Sequence, residues 1–540
     1  MTLQRDVLLV PMQPTPNGAL HIGHAAGTYL RADAAARALA VRGHRVAVVT
    51  GSDAFENWVL AAADAAGTTP EQVCARFHAE NERDLRMLGI RLDAWIDPRS
   101  AEHYPAYQRT HEDALRLLRA TGGAVLETER VPHSARTGAP VIGTWIVGLC
   151  PHCQAPAAGS SCVACGDHFQ PEELLRPASR LDGAPLVWRP VRSWFARPRD
   201  PDGVAERLAA IVRPVFAEAA VRYLRGRGGR VRLSGPGTWG IRSDLTGPGA
   251  VLANGYYLYS VYCGHVYCGL SGRPGNPFTA GGASTVGIFG HDNTTPGLVA
   301  PHVLAQASDG AYAPFDRVIV HGMLTFEAQK CSTSKRHGLW LRDLFTGTSI
   351  SSDELRFVLV HADLDHGPAD ITLHGLAETV TAYRRWAAST LPAAATHAPT
   401  VADAAASDRD PLLRLVEEQH LHLDPGRLDL SAAARILHTW MRAADRPAAD
   451  WLLGLALLGE PIIPDLARHA WTQLGHTGTP TLEAAAATRP VPLATNRIPP
   501  PPAEPVTAAQ LLPLARTAPP AGQVPGPADP TNRAATLRYR

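Results

Sequence analysis

Lysine is nearly missing from this chain. Lys330 and Lys335 are the only two among 51 basic Lys and Arg side chains. A sequence that uses arginine everywhere else keeps two compact ammonium groups five residues apart in one loop. Gripping phosphate is one setting in which the two residue types are not interchangeable. Long apolar runs are missing too. The densest, Leu452 to Leu458, is far shorter than the roughly 18 residues a membrane span needs. Met1 to Val10 lacks the basic-then-apolar layout of a secretory signal, so a cytoplasmic protein without a membrane partner is expected. A net charge of +1 supplies no overall basic field for nucleic acid, although a local patch stays open. Cysteine is scarce as well. Of eight in 540 residues, four are clustered, which suits metal binding better than a disulfide framework.

What is present reads as an α/β protein of two to four domains. Asp6 to Met12 is a short apolar strand, broken by Pro14-Thr15-Pro16-Asn17-Gly18. Ala19 to Val41 then reads as a long alanine-rich helix. Arg45 to Thr50 is a second strand, ending at Gly51-Ser52-Asp53 before a helix up to Ala66. Strand, loop, helix, strand opens a Rossmann-like parallel sheet, with ligands at the carboxyl ends of its strands. Further strands fall at Val286 to Phe289 and Arg317 to Val320. The sheet's two halves are expected over 1–119 and 236–375, split by an insertion over 120–235. A helical domain over 376–475 follows, where Ser431 can cap a helix with Ile436, Leu437, Trp440 and Met441 on one face. Residues 476–540 hold 14 of the 46 prolines and read as a disordered Pro/Ala-rich tail.

Four constellations carry chemistry. His21-Ile22-Gly23-His24 opens the first helix, where free N–H groups and the dipole favour a phosphate. Gly23 lets a nucleotide approach the backbone, and histidines at i and i+3 share a face. Lys330-Cys331-Ser332-Thr333-Ser334-Lys335 is the lysine loop. Cys150-x-x-Cys153 and Cys162-x-x-Cys165 have the spacing of two knuckles around one structural, coordinatively closed Zn²⁺. At strand ends stand Asp53, which with Glu56 also fits a capping box, and Gly290-His291-Asp292, whose aspartate also fits a turn.

Together these segments resemble the class I aminoacyl-tRNA synthetases, the methionyl enzyme most closely, over about residues 6 to 375. The first string and its lead-in look like that family's first signature, and the lysine loop looks like its Lys-Met-Ser-Lys-Ser signature. Here Thr333 stands at the second lysine's place and Lys335 is a displaced substitute. The resemblance implies ATP and an amino acid as substrates, with Mg²⁺ on the phosphates. It implies His21, His24, Lys330 and Lys335 as catalytic residues. Asn17, Gly23, Gly290, Asp292, Ser332 and Ser334 would bind ATP, and Gln13, Thr15 and Asp53 the amino acid. Methionine's pocket is not reproduced: Gln13 and Thr15 replace an apolar and an aromatic residue, and Ala253-Asn254-Gly255-Tyr256-Tyr257 replaces a tryptophan-bearing segment. Thr381 to Leu391, with Arg384 and Arg385, occupies the place of the anticodon-reading residues. The acceptor is therefore tRNA or a small molecule. The phrases Thr-Gly-Ser-Asp and Ser-Thr-Ser-Lys are similar to a divergent group that includes the synthetase-like part of hydrazine-forming enzymes, which would add a separate cupin partner. A catalytically inactive binding or regulatory protein is the remaining alternative.

Overall fold

The computed structural model describes residues 4–333, 335–396, 410–443, 448–487, 502 and 504–516. Its centre is a five-stranded parallel sheet of Asp6–Pro11, Arg45–Gly51, Ala94–Ile96, Ser284–Gly290 and Arg317–His321. Asp6–Pro11 lies in the middle and is buried along its whole length. The chain adds the second and third strands on one side of it and the fourth and fifth on the other. That reversal makes the crevice between the ends of Asp6–Pro11 and Ser284–Gly290 the topological switch point, where α/β sheets take their ligands.

The helix after the first strand departs from the expected run. It starts at Ile22, passes through a wide π-type turn over Ala25–Tyr29, and continues as Leu30–Val41. The cause is packing: a side chain on Gly27 would collide with the His321 ring, and Thr28 Oγ1 bonds His321 Nε2 at 3.0 Å. A second π-type turn, Thr295–Val299, follows Ser284–Gly290 in the matching place. Such turns concentrate at functional sites.

Between the halves of the sheet, Ala124–Ser134 pairs antiparallel with Leu186–Ala196. Beyond that ribbon lies a small sheet of Ile146–Leu149, Pro156–Ala158 and Leu175–Ser179, with Val141, Ile146, Phe169 and Leu174 as its own core. Helices Pro201–Ile211 and Pro214–Arg227 lead back.

The C-terminal part is helical, as its periodicity predicts. Asp429, not Ser431, caps Leu430–Met441: its carboxylate accepts the Ala432 N–H at 2.9 Å, and Ser431 already lies inside the first turn. Leu437, Trp440 and Met441 are buried and Ile436 packs beside them. This part is joined to the sheet by a buried ion network. Arg37 pairs with Asp33 at 2.7 Å and Glu460 at 2.6 Å, while Arg356 pairs with Asp33 and donates to the Ile462 carbonyl at 2.8 Å. No helix among the described residues is long and apolar enough to cross a membrane.

Part of the proline-rich tail is ordered, contrary to its composition. Residues 504–516 include the helix Ala508–Leu511, and Val506 and Thr381 exchange two hydrogen bonds. Arg516 forms a two-bond backbone bridge to Gly338, and its guanidinium lies over Trp340. Buried Leu511 and Val506 supply the apolar contact that a proline count does not reveal. The disorder expected for 488–501, 503 and 517–540 concerns residues outside those described.

Candidate active site

The first loop and the lysine loop, more than three hundred residues apart, are stitched together. Ile22 N–H donates to the Leu339 carbonyl at 2.9 Å, and Leu341 N–H to the Leu20 carbonyl at 3.0 Å. Gly18 lies so close to Thr333 that any side chain on it would overlap the threonine methyl, and Gly23 is wedged between the His21 ring and Cys331. The lysine loop itself leaves a hairpin whose turn residues Glu327 and Ala328 both hold left-handed backbone, φ 49° and 61°. That turn is favoured in hairpins but costly without glycine, and Asp370 helps hold it by accepting the Ala328 N–H at 2.9 Å.

His21 and His24 stack with ring centroids 3.8 Å apart. Their ring nitrogens close the helix start: His21 Nδ1 accepts the Gly23 N–H at 3.1 Å, and His24 Nδ1 accepts the His21 N–H at 3.3 Å. The N–H groups expected to be open to a phosphate at these two positions are therefore taken by the histidines. A neutral ring whose Nδ1 accepts must carry its proton on Nε2, so each imidazole offers one N–H donor instead. Burial first, then Lys330, lowers His24 to about 4. Burial, His24 and Lys330 also hold His21 well below its usual value. Both are neutral at pH 7.

Across from them, the Lys330 ammonium lies 3.6 Å from the Asp292 carboxylate. Burial pushes Asp292 up, but Lys330, His291 and His321 outweigh it and leave the carboxyl below the usual range. Asn293 donates to Asp292 at 3.2 Å, and Gly290 precedes the turn at the strand's end. Lys335 is exposed, its N–H donating to Ser332 Oγ at 3.3 Å. Ser334 lies outside the described residues. Asn17 closes a tight turn onto the Thr15 carbonyl at 2.9 Å.

Asp53 sits at the opposite lip. Its N–H donates to the Pro14 carbonyl at 2.9 Å, which fixes it beside the first loop. The capping box with Glu56 does not form: the helix is Trp58–Ala66, with Asn57 at its N-cap. Instead the Asn254 amide donates to the Asp53 carboxylate, and the Tyr107 hydroxyl to Asn254. Burial and the neighbouring Glu56 raise Asp53 well above the ordinary carboxylate range. Gln13 is 6% exposed and its side-chain oxygen has no partner among the described residues; Thr15 is half-buried. The hydroxyls of Thr294 and Thr295 are likewise buried without a partner. No sequence motif marks Tyr107, Thr294 or Thr295.

The four knuckle cysteines converge as their spacing predicts. Cys150 and Cys165 Sγ are 3.8 Å apart, Cys153 and Cys162 Sγ 3.6 Å, and all four lie within 4.8 Å of one another without a disulfide. A tetrahedron with Zn–S bonds of about 2.3 Å has S···S edges of about 3.8 Å, so the residues fit Zn²⁺. The knuckle also touches the crevice: Gly166 lies against the His291 carbonyl.

The family model for tRNA synthetases class I (M) matches residues 10–233 and 282–382. The methionine–tRNA ligase of Roseiflexus sp. (strain RS-1) is 29% identical over 382 residues, covering 66% of this chain and 62% of that protein. The ligase of Thermoplasma acidophilum is 25% identical over 393 residues, 70% of each. Among solved structures, Mycobacterium tuberculosis methionyl-tRNA synthetase bound by methionyl-adenylate aligns with a TM-score of 0.64 at 17% identity. That alignment covers 92% of this chain and 99% of the other and speaks to the fold.

Proposed function

Because the chain belongs to the class I aminoacyl-tRNA synthetases of the methionyl type, we propose that it joins ATP to an amino acid and passes the acyl group to a hydroxyl acceptor. In this reading the amino-acid carboxylate attacks the α-phosphorus of ATP and pyrophosphate leaves. The Nε2–H groups of His21 and His24 stabilise the charge growing on the α-phosphoryl oxygens, and Lys330 and Lys335 hold the departing pyrophosphate together with Mg²⁺. Asp292 accepts a ribose hydroxyl, while Asn17, Gly23, Gly290 and Ser332 line the nucleotide. Asp53 takes the α-ammonium group. The observation that carries the reading is the convergence of Lys330, Asp292, His21 and His24 at the switch point, held there by the stitched loops.

Two observations favour an amino acid other than methionine and a small-molecule acceptor over ordinary tRNA charging. Gln13 presents a buried side-chain oxygen that a thioether would leave unpaired. Arg384, in the stretch where anticodon contacts would arise, is 2% exposed and tied to Glu354 at 2.6 Å. The test is ATP–pyrophosphate exchange across the common amino acids, followed by acyl transfer to total tRNA and to small hydroxyl compounds. Exchange with a polar or small amino acid and no tRNA charging is the expected result. Efficient methionylation of tRNA would restore the ordinary synthetase, and no exchange with any amino acid would leave a binding protein.

A further inference from the structure

The turn between Arg45–Gly51 and Trp58–Ala66 carries two carboxylates where the activation chemistry above accounts for one. Asp53 and Glu56 act on each other electrostatically, and both are pushed upward, by burial first. Among the described residues neither forms an ion pair, and no lysine, arginine or histidine offsets either charge. Asp53 has the Asn254 amide; the Glu56 carboxylate has no hydrogen-bond donor among the described residues.

The turn is built to stay where it is. Ala54 and Phe55 are buried, and Phe55 stacks on Tyr107 at 6.0 Å with nearly parallel rings. Asn57 donates to the Ile142 carbonyl of the insertion at 3.0 Å, and Asp53 N–H to the Pro14 carbonyl at 2.9 Å. Glu56 is therefore held beside Asp53 without the helix-capping role its spacing suggests. A third acceptor stands next to this turn. Gln13, the neighbour of Pro14, is 6% exposed, and its side-chain oxygen also lacks a donor.

Two half-buried carboxylates that share a single amide donor, next to a buried amide oxygen that has none, ask for a ligand rich in N–H groups. An α-amino acid brings one ammonium, which Asp53 neutralises. A second, half-buried carboxylate of the same turn, with no counter-ion among the described residues, stays costly unless it takes a proton or meets a second cation. We propose that Asp53 and Glu56 form a paired-carboxylate subsite that holds a second ammonium group beside the α-ammonium of the activated amino acid. That group belongs either to the side chain of a diamino acid used as acyl donor or to an amine-bearing hydroxyl acceptor. The proposal rests on the adenylation reading for the identity of the first ammonium.

The test compares isosteres with and without the second amine. As donors in pyrophosphate exchange, 2,3-diaminopropionate is set against serine, and lysine against norleucine. As acceptors, 3-aminopropanol is set against propanol, read by AMP release. Calorimetric binding of the same compounds to wild type and Glu56→Gln runs beside both. The expected result is a preference of about tenfold or more for the amine-bearing member in one arm, abolished in Glu56→Gln; the arm that shows it identifies the source. Equal use of amine and neutral partners in both arms, or a preference that Glu56→Gln leaves intact, overturns the proposal. If nothing supports exchange, the adenylation reading fails, and binding alone decides whether Glu56 selects the amine.

Discussion

The Lys330 ammonium stands 3.6 Å from the Asp292 carboxylate, across the crevice from the stacked His21 and His24 rings. In the proposed reading the lysine meant for the phosphates is thus the direct neighbour of the acid meant for the ribose, and each tunes the charge of the other. Lys330→Ala is expected to slow adenylate formation about a hundredfold while amino-acid binding is nearly unchanged, because the lost charge matters most as pyrophosphate departs. Asp292→Asn is expected to raise the KM for ATP more than it lowers kcat. Pre-steady-state adenylate formation separates the two; an unchanged rate in both Lys330→Ala and Lys335→Ala would make the loop a plain basic turn.

Zinc gives the next test. Four thiolates with edges of 3.6 and 3.8 Å predict one equivalent per chain by metal analysis. Because Gly166 lies against the His291 carbonyl, chelation is expected to loosen the ribose-side turn and raise the KM for ATP, besides lowering the melting temperature. Cys150→Ser should do the same. Full metal-free stability would sink the structural role of the knuckle.

What the chain reveals before folding divides by range. Strand positions, the cysteine site and the two signature loops were legible, because each rests on short-range spacing and strong residue preferences. What failed depended on contacts from far away. Nothing near residue 27 predicts that His321 will widen the helix there, and nothing near Glu56 tells that the helix waits until Trp58 while the Asn57 amide bonds the distant Ile142 carbonyl. Likewise the Pro-rich composition around 504–516 hides a packed segment, since its partners Gly338, Thr381 and Trp340 come from elsewhere in the chain. Arg384 shows the same limit: as a sequence position it could face RNA, and only the fold reveals its partner Glu354.

That packed segment makes its own prediction. Truncation after residue 503 removes the Arg516–Gly338 bridge, the Arg516–Asp343 pair at 3.3 Å and the Arg384 contact to the Glu504 carbonyl at 2.7 Å. The lysine loop should become more open to proteolysis and hydrogen exchange, with a lower melting temperature. Unaltered exchange rates over residues 330–340 would show that the loop holds its shape unaided.

Acid should weaken the fold through the histidines. His24 and His321 are lowered to about 4 by burial first, and His21 lies well below 6.5. A lowered folded value means that protons bind the unfolded chain more tightly. The stabilising contribution is therefore complete above pH 6.5 and is lost as pH falls toward and through 4. Asp53 and Glu56, both raised, act in the opposite sense but are outnumbered. Thermal unfolding between pH 7.5 and 4.5 should show a falling melting temperature, with a shallower slope in His24→Asn, which keeps an acceptor for the His21 N–H. An equal slope in that variant would remove His24 from the account.

Gln13 offers the sharpest test of substrate choice. Its side-chain oxygen is buried without a donor at the end of the central strand, where Met12 N–H bonds the Ile288 carbonyl at 2.8 Å and fixes the register. A substrate that donates a hydrogen bond would satisfy it; a thioether would leave it dry, at roughly 1–3 kcal/mol. Gln13→Leu should therefore lower exchange with the preferred polar amino acid and raise it with methionine. The ratio of kcat/KM values should shift by about one to two powers of ten, since 1.4 kcal/mol is a factor of ten. The effect should fall on the ratio and spare the ATP terms, because Gln13 lies outside the Lys330–Asp292 cluster. A variant that loses all substrates alike would show that Gln13 supports the loop and does not choose the side chain. Methionine already preferred by the wild type would refute the pocket argument outright.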